Sequence, residues 1–239
     1  DHADIFDDLD AIKRQFHHLI RTVPNNGRLI LPSGEANLDD VLEKGCWTPI
    51  EKISTDPSGK ATWSAANIEA GEGEFDVYYR GRRIGRVCWS LSGQHNVSNA
   101  LAAISAAVHV GVKPETAIEA LASFQNVKRR MERRAVINNI TLYDDFAHHP
   151  TAIASTLAGL RGKVGQQRII AVLEPRSNTM KMGVHKDTLL PSLKDASKAL
   201  IYMPDELNWQ MDLENYSHIN VCTTMDSLIE AIISIVKSG

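Results

Sequence analysis

The chain has 239 residues, 43 % of them apolar and 23 % charged, and a formal net charge of -3. That length suits two soluble domains, and the weakly acidic balance gives no general reason to expect a nucleic-acid partner. Three scattered cysteines, Cys46, Cys88 and Cys222, contain no C-x-x-C pair. They argue against a disulfide framework or a cysteine zinc site and fit a reducing cytoplasm. No run of about 18 apolar residues is present, so no membrane insertion is expected. The opening DHADIFDDLD is acidic, unlike a signal peptide, and lacks an initiator Met, so the chain reads as one entered partway through.

Residues 7–23 carry Leu9, Ile12, Phe16, Leu19, Ile20 and Val23 at helical spacing. GRLILPSG reads as a short strand, and NLDDVLEKG as a short helix capped by Asn37 or Asp39 and ended by Gly45. Residues 47–68 read as short strands broken by the TDPSGK turn. EFDVYYRGRRIGRVCWSL alternates on either side of Gly81 and predicts a hairpin, with Phe75, Val77 and Tyr79 on one face. SGQHNVSNALAAISAAVHVG predicts a small-residue helix closed by Gly111, and KPETAIEALASF another with Pro114 in its first turn.

Composition shifts at QNVKRRMERR, where six of ten residues are Lys, Arg or Glu, and a domain boundary is expected near 127. Beyond it RAVINNITLYDDF predicts a hairpin turning at Asn138-Asn139. PTAIASTLAGLRG follows as a helix, and the continuous apolar run in QRIIAVLEP as a buried strand. HKDTLLPSLKDAS reads as a helix broken by its proline, KALIYMP and INVCTT as strands, and MDSLIEAIISIVKSG as an amphipathic helix. This alternation predicts a parallel, doubly wound sheet.

Three polar stretches sit where strands hand over to helices. In SGQHNVSNALAA, His95 and Asn99 share a helix face, and asparagine amides suit an adenine edge; a plain helix cap explains the same residues. DDFAHHP follows a strand, and ligands in open α/β sheets bind at carboxyl ends of strands. An aspartate there suits ribose hydroxyls or magnesium, although a cap aspartate with surface histidines fits equally well. Zinc is disfavoured because the adjacent His148 and His149 diverge and no further ligand is near. EPRSNTMKMG ends another strand; Arg176 offers a fork for a carboxylate or phosphate, and Ser177, Asn178 and Thr179 add neutral donors. No G-x-x-x-x-G-K-[ST] phosphate loop occurs in the sequence.

Together these stretches resemble the Mur ligases, ATP-dependent amide-forming enzymes of peptidoglycan synthesis. DHAD at 1–4 is similar to the family's D-H-x-D segment, which implies His2 as a magnesium ligand. GQHNVSNALAA is similar to the stretch near adenine, implying that His95, Asn96 and Asn99 bind ATP. RRMERR is similar to the interdomain arginine motif, implying Arg130 as its catalytic arginine. DDFAHHPTAI is similar to the opening of the C-terminal domain, implying Asp145 at the ribose with His148 nearby.

The resemblance implies an α/β protein: the rear part of a central ATPase domain over 1–126, then a Rossmann-like C-terminal domain over 127–239 with a mostly parallel sheet. It implies a cytoplasmic enzyme using ATP and Mg2+, with no protein partner expected. ATP phosphorylates the lactyl carboxylate of UDP-N-acetylmuramate, an amino group attacks the acyl phosphate, and collapse of the tetrahedral intermediate leaves an amide and phosphate. Arg130 would reach the phosphates on domain closure. Within the family, EPRSNTMKMG resembles the loop of the member whose acceptor is the murein tripeptide L-Ala-γ-D-Glu-meso-diaminopimelate, so Arg176, Ser177, Asn178 and Thr179 are expected to bind it. Without a phosphate loop or the remaining magnesium ligands, the chain alone is expected to be inactive. An L-alanine-adding or other Mur ligase is the nearer alternative; a non-catalytic binding module on the same scaffold is the alternative of another class.

Overall fold

The structure, a computed structural model, describes residues 4–58, 60–69, 71, 73–204, 207 and 209–237. The expected metal ligand His2 lies outside the described residues. The chain divides into two compact units, Phe6–Asn126 and Val127–Gly239, with Asp4 and Ile5 grouped with the second.

The first unit runs α1 (Leu9–Thr22), β1 (Leu29–Pro32), α2 (Ala36–Glu43), β2 (Ile50–Ser54), β3 (Trp63–Glu69), β4 (Glu74–Tyr79), β5 (Arg82–Cys88), α3 (Gln94–His109) and α4 (Pro114–Leu121). Its sheet follows chain order, with β1, β2 and β3 parallel and β3, β4 and β5 antiparallel. The β4–β5 hairpin turns on Arg80 and Gly81, at φ 48 and 78, the two left-handed residues that a tight two-residue turn requires. Phe75 and Val77 are fully buried as their alternation predicts, and Tyr79 packs partly buried on the same core. A bulge between Val77 and Tyr78 changes the register. It lets Ile84 and Val87, three residues apart, join one core. The small-residue helix α3 lies on β1, β2 and β3, with Ala100, Leu101, Ile104 and Ser105 buried.

A polar joint crosses this core. Glu51 on β2 accepts from Trp63 Nε1 at 2.8 Å and from Ser105 Oγ at 2.5 Å. It ties α3 to two strands where both donors are shut off from water.

One helical expectation is corrected here. The cap of α2 is Glu35, without a side-chain bond, rather than Asn37 or Asp39, which lie inside the helix. In α1 only Ile20 is buried, while Leu9, Phe16 and Leu19 of the apolar stripe are 51 %, 49 % and 60 % exposed. The period is helical, but α1 packs chiefly against the two-turn α2, which covers part of the stripe.

The second unit runs β6 (Glu132–Ile137), β7 (Ile140–Asp144), α5 (Pro150–Val164), β8 (Ile170–Leu173), α6 (Asn178–Lys181), α7 (Lys186–Ser192), β9 (Lys198–Tyr202), β10 (Ile219–Cys222) and α8 (Met225–Lys237). Among the described residues β10, β9 and β8 form a parallel three-stranded sheet, and β6 with β7 a separate two-stranded ladder. The hairpin turns on Asn138 and Asn139, at φ 50 and 64. Ile153 and Leu157 of α5 and Leu189 and Leu190 of α7 share a core with Ala199, Ile201 and Ile219. Leu228 of α8 packs with Leu200 and Cys222 in a separate cluster. The continuous apolar run of β8 predicts burial on both faces, yet Val172 is 51 % exposed: α8 packs on β9 and β10 and leaves that part of β8 uncovered. Pro191 lies inside α7, where it ends the helix within two residues. Among the described residues no helix is long and apolar enough to cross a membrane.

Candidate functional site

The first unit presents its candidate residues at the start of α3. Gly93 caps the helix at φ 94 and ψ 145, a conformation glycine adopts without steric cost. His95 and Asn99 are exposed one turn apart, on one face of the helix. Asn96 turns away from that face: its Nδ2 donates to the Ser92 carbonyl at 2.8 Å. The cap reading therefore describes Asn96, while His95 and Asn99 face solvent.

In the second unit the carboxyl end of β7 gathers more. Asp145 Oδ1 accepts from Ala147 N at 2.8 Å, and Oδ2 from Met131 N at 2.8 Å. One carboxylate thus shapes the turn after β7 and clasps the segment ahead of β6, each oxygen keeping a further lone pair. Arg129 and Met131, flanking Arg130, both hold left-handed φ values, 58 and 48. Non-glycine residues there carry strain that surrounding contacts must hold. Those contacts include Glu132, which accepts from Arg129 N at 3.0 Å, and Asp145. The Arg129 backbone N–H, then the Arg134 guanidinium, hold the Glu132 carboxyl below its ordinary range. The guanidinium carbons of Arg129 and Arg130 sit 4.9 and 5.8 Å from the centre of the Phe146 ring.

His148 meets the edge of the same ring, 5.0 Å between centroids, and its Nδ1 lies 3.0 Å from the Phe146 carbonyl. His149 caps α5, its Nδ1 accepting from Thr151 N at 3.2 Å. This fixes the neutral tautomer with hydrogen on Nε2. Its ring packs edge-on against His185 at 4.4 Å. Burial, then the neighbouring His185, pushes the His149 pKa below its ordinary value, and burial does the same to His185.

The third stretch joins the second. Ser177 caps α6, accepting from Met180 N at 3.3 Å, and its hydroxyl lies 3.5 Å from the His148 carbonyl. Asn178 is exposed and donates to Asp4 Oδ2 at 3.3 Å. Arg176 is exposed, with no ion-pair partner among the described residues. Thr179 is 3 % exposed, which corrects its reading as a substrate contact: α6 rotates it into the core while Asn178 stays outside. Arg130, Asp145, His148, Arg176, Ser177 and Asn178 thus all belong to the second unit, whereas His95, Asn96 and Asn99 belong to the first.

Sequence reading missed Asp4, Phe146, His185 and Trp209 as parts of this surface. Phe146 sits inside the motif already singled out. His185 and Trp209 carry no local signal, and only the fold brings them to the loop. Among the described residues no group of three His, Cys, Asp or Glu side chains could hold a metal ion. The one ligand named by the magnesium expectation, His2, lies outside the residues described.

Residues 1–107 match the Mur ligase middle domain, and residues 129–239 match the Mur ligase glutamate ligase domain. The chain belongs to the Mur ligase family. Its relatives include the UDP-N-acetylmuramate–L-alanyl-γ-D-glutamyl-meso-2,6-diaminoheptandioate ligase of Escherichia coli (strain K12), 52 % identical over 212 residues, 88 % of this chain and 46 % of that protein. The UDP-N-acetylmuramate–L-alanine ligase of Caldanaerobacter subterraneus subsp. tengcongensis is 34 % identical over 204 residues, covering 84 % of this chain and 43 % of that one. A solved murein peptide ligase from Psychrobacter arcticus 273-4 superposes with a TM-score of 0.67 at 44 % identity, over 95 % of this chain and 49 % of that one. The chain spans about half the length of the curated relatives it matches.

Proposed function

We propose that this chain forms the acceptor-binding half of an ATP-dependent ligase that joins UDP-N-acetylmuramate to L-Ala-γ-D-Glu-meso-diaminopimelate. The observation that carries the reading is the exposed loop after β8. It presents an exposed Arg176, with no ion-pair partner among the described residues, and an exposed Asn178 beside the β7 turn, in a chain 52 % identical to a ligase named for that tripeptide. The likeness to the L-alanine ligase is weaker, at 34 %.

In this reading Arg176 binds a carboxylate of the tripeptide through its planar fork. Asn178 orients the neighbouring amide, and Ser177 holds the loop to the β7 turn. Asp145 takes the ribose hydroxyls on its remaining lone pairs. His148 lies alongside the nucleotide, His95 and Asn99 meet the adenine edge, and Arg130 offsets charge at the phosphates. ATP and Mg2+ are the cofactors the reaction requires, and magnesium supplies charge neutralisation at the phosphates when bound. The chain by itself is inactive in this reading, for want of a phosphate-cradling loop.

The test is acceptor kinetics in a full-length ligase carrying this chain as its rear half. Losing a charged hydrogen bond costs about 1.5–3 kcal/mol, so R176A raises the tripeptide KM by about tenfold to a hundredfold, and N178A by less. The KM for ATP stays level in both. An R176A enzyme with unchanged tripeptide KM contradicts the assignment.

A further inference from the structure

The loop that carries Arg176 and Asn178 is held from above by a residue far away in sequence. Helix α6 is one turn long, too short to be stable alone. Thr179 and Met180 anchor it from below, at 3 % and 1 % exposure. On its other side Trp209 donates from Nε1 to the carbonyl of Lys181, the last residue of α6, at 3.1 Å. That carbonyl is one of the acceptors a helix end leaves open.

Two residues on, Gly183 holds φ 70 directly under the same indole. A Cβ there would lie 3.0 Å from Trp209 Cγ and 3.1 Å from Cδ1. Glycine is required twice over, by the left-handed backbone and by the ring pressed onto it. Trp209 itself packs against the core that includes Met180 and Leu189. The indole thus closes α6 by a hydrogen bond and clamps the exit from the loop by contact.

We propose that Trp209 is a positioning residue for the acceptor: it fixes the 176–183 loop so that Arg176 and Asn178 are preset for the tripeptide. The proposal rests on the acceptor reading given above. Trp209 need not touch substrate; it acts through the loop, removing conformations that acceptor binding would otherwise have to exclude.

The experiment compares wild type, W209F and W209A in the full-length ligase, with two readouts. Limited trypsin digestion reports loop order through cleavage after Arg176 and Lys181. Steady-state kinetics report KM separately for tripeptide, ATP and UDP-N-acetylmuramate. W209A is expected to be cut faster at the loop and to raise the tripeptide KM about tenfold, since small displacements of positioning groups cost that much or more. The other two KM values should stay level. W209F keeps a ring over Gly183 and recovers most of the tripeptide KM.

Unchanged loop cleavage in W209A, or an unchanged tripeptide KM, overturns the proposal and leaves the acceptor reading standing. So does a parallel rise in all three KM values, which marks a general loss of structure. A wild-type enzyme that does not use the tripeptide overturns the acceptor reading and the proposal with it.

Discussion

A few side chains carry more of this architecture than their number suggests, and Glu51 is the plainest case. It satisfies the indole N–H of a fully buried tryptophan and the hydroxyl of a serine that is 1 % exposed. E51A strands both donors in the core, so urea unfolding should show a loss of about 2–4 kcal/mol; E51Q keeps one acceptor oxygen and should lose less. Equal stability of E51A and wild type would contradict this account of the joint. Nothing in the local sequence marks Glu51, because its partners lie 12 and 54 residues away. Thr179 shows the opposite failure. It reads as one of four consecutive ligand donors, but neighbouring residues on a helical turn point about 100° apart, so Asn178 and Thr179 cannot share a face. Arg176 and Asn178 stand out in sequence as polar residues after an apolar strand, and the structure leaves both exposed.

Elements whose chemistry is local are the legible ones. The two hairpins turn at residue types that tolerate a left-handed backbone, Gly81 in the first and Asn138-Asn139 in the second, where the alternating patterns break. The period of α1 is equally plain, but its burial is not, because a stripe records periodicity and not what covers it. The start of α5 adds a testable pH dependence. His149 caps that helix only while Nδ1 is a bare acceptor, and its pKa in the folded protein lies below the ordinary 6.5. The unfolded chain therefore takes up the proton first as pH falls. The stabilisation from this cap is complete above about pH 6.5 and is lost as pH drops towards the lower folded value. Urea midpoints at pH 7.5 and 5.5 should fall for wild type. They should fall less for H149N, whose amide caps without titrating. An identical fall in both would assign the pH dependence to other groups.

At the scale of the whole molecule, the chain combines two Mur ligase domains in two compact units, a mixed sheet in the first and a parallel sheet in the second. The charge-rich run near 127 was enough to suggest where composition changes. It did not reveal that Arg129 and Met131 hold left-handed backbones there, nor that Asp145 reaches back to one of them, since both depend on the folded turn. The central claim is the identity of the acceptor. The direct measurement is ATP-dependent phosphate release by a full-length ligase carrying this chain, with UDP-N-acetylmuramate and either the tripeptide or L-alanine. Release with the tripeptide alone is the predicted result. Release with L-alanine alone would contradict the reading of the loop after β8, and no release with either would contradict the assignment of a ligase activity.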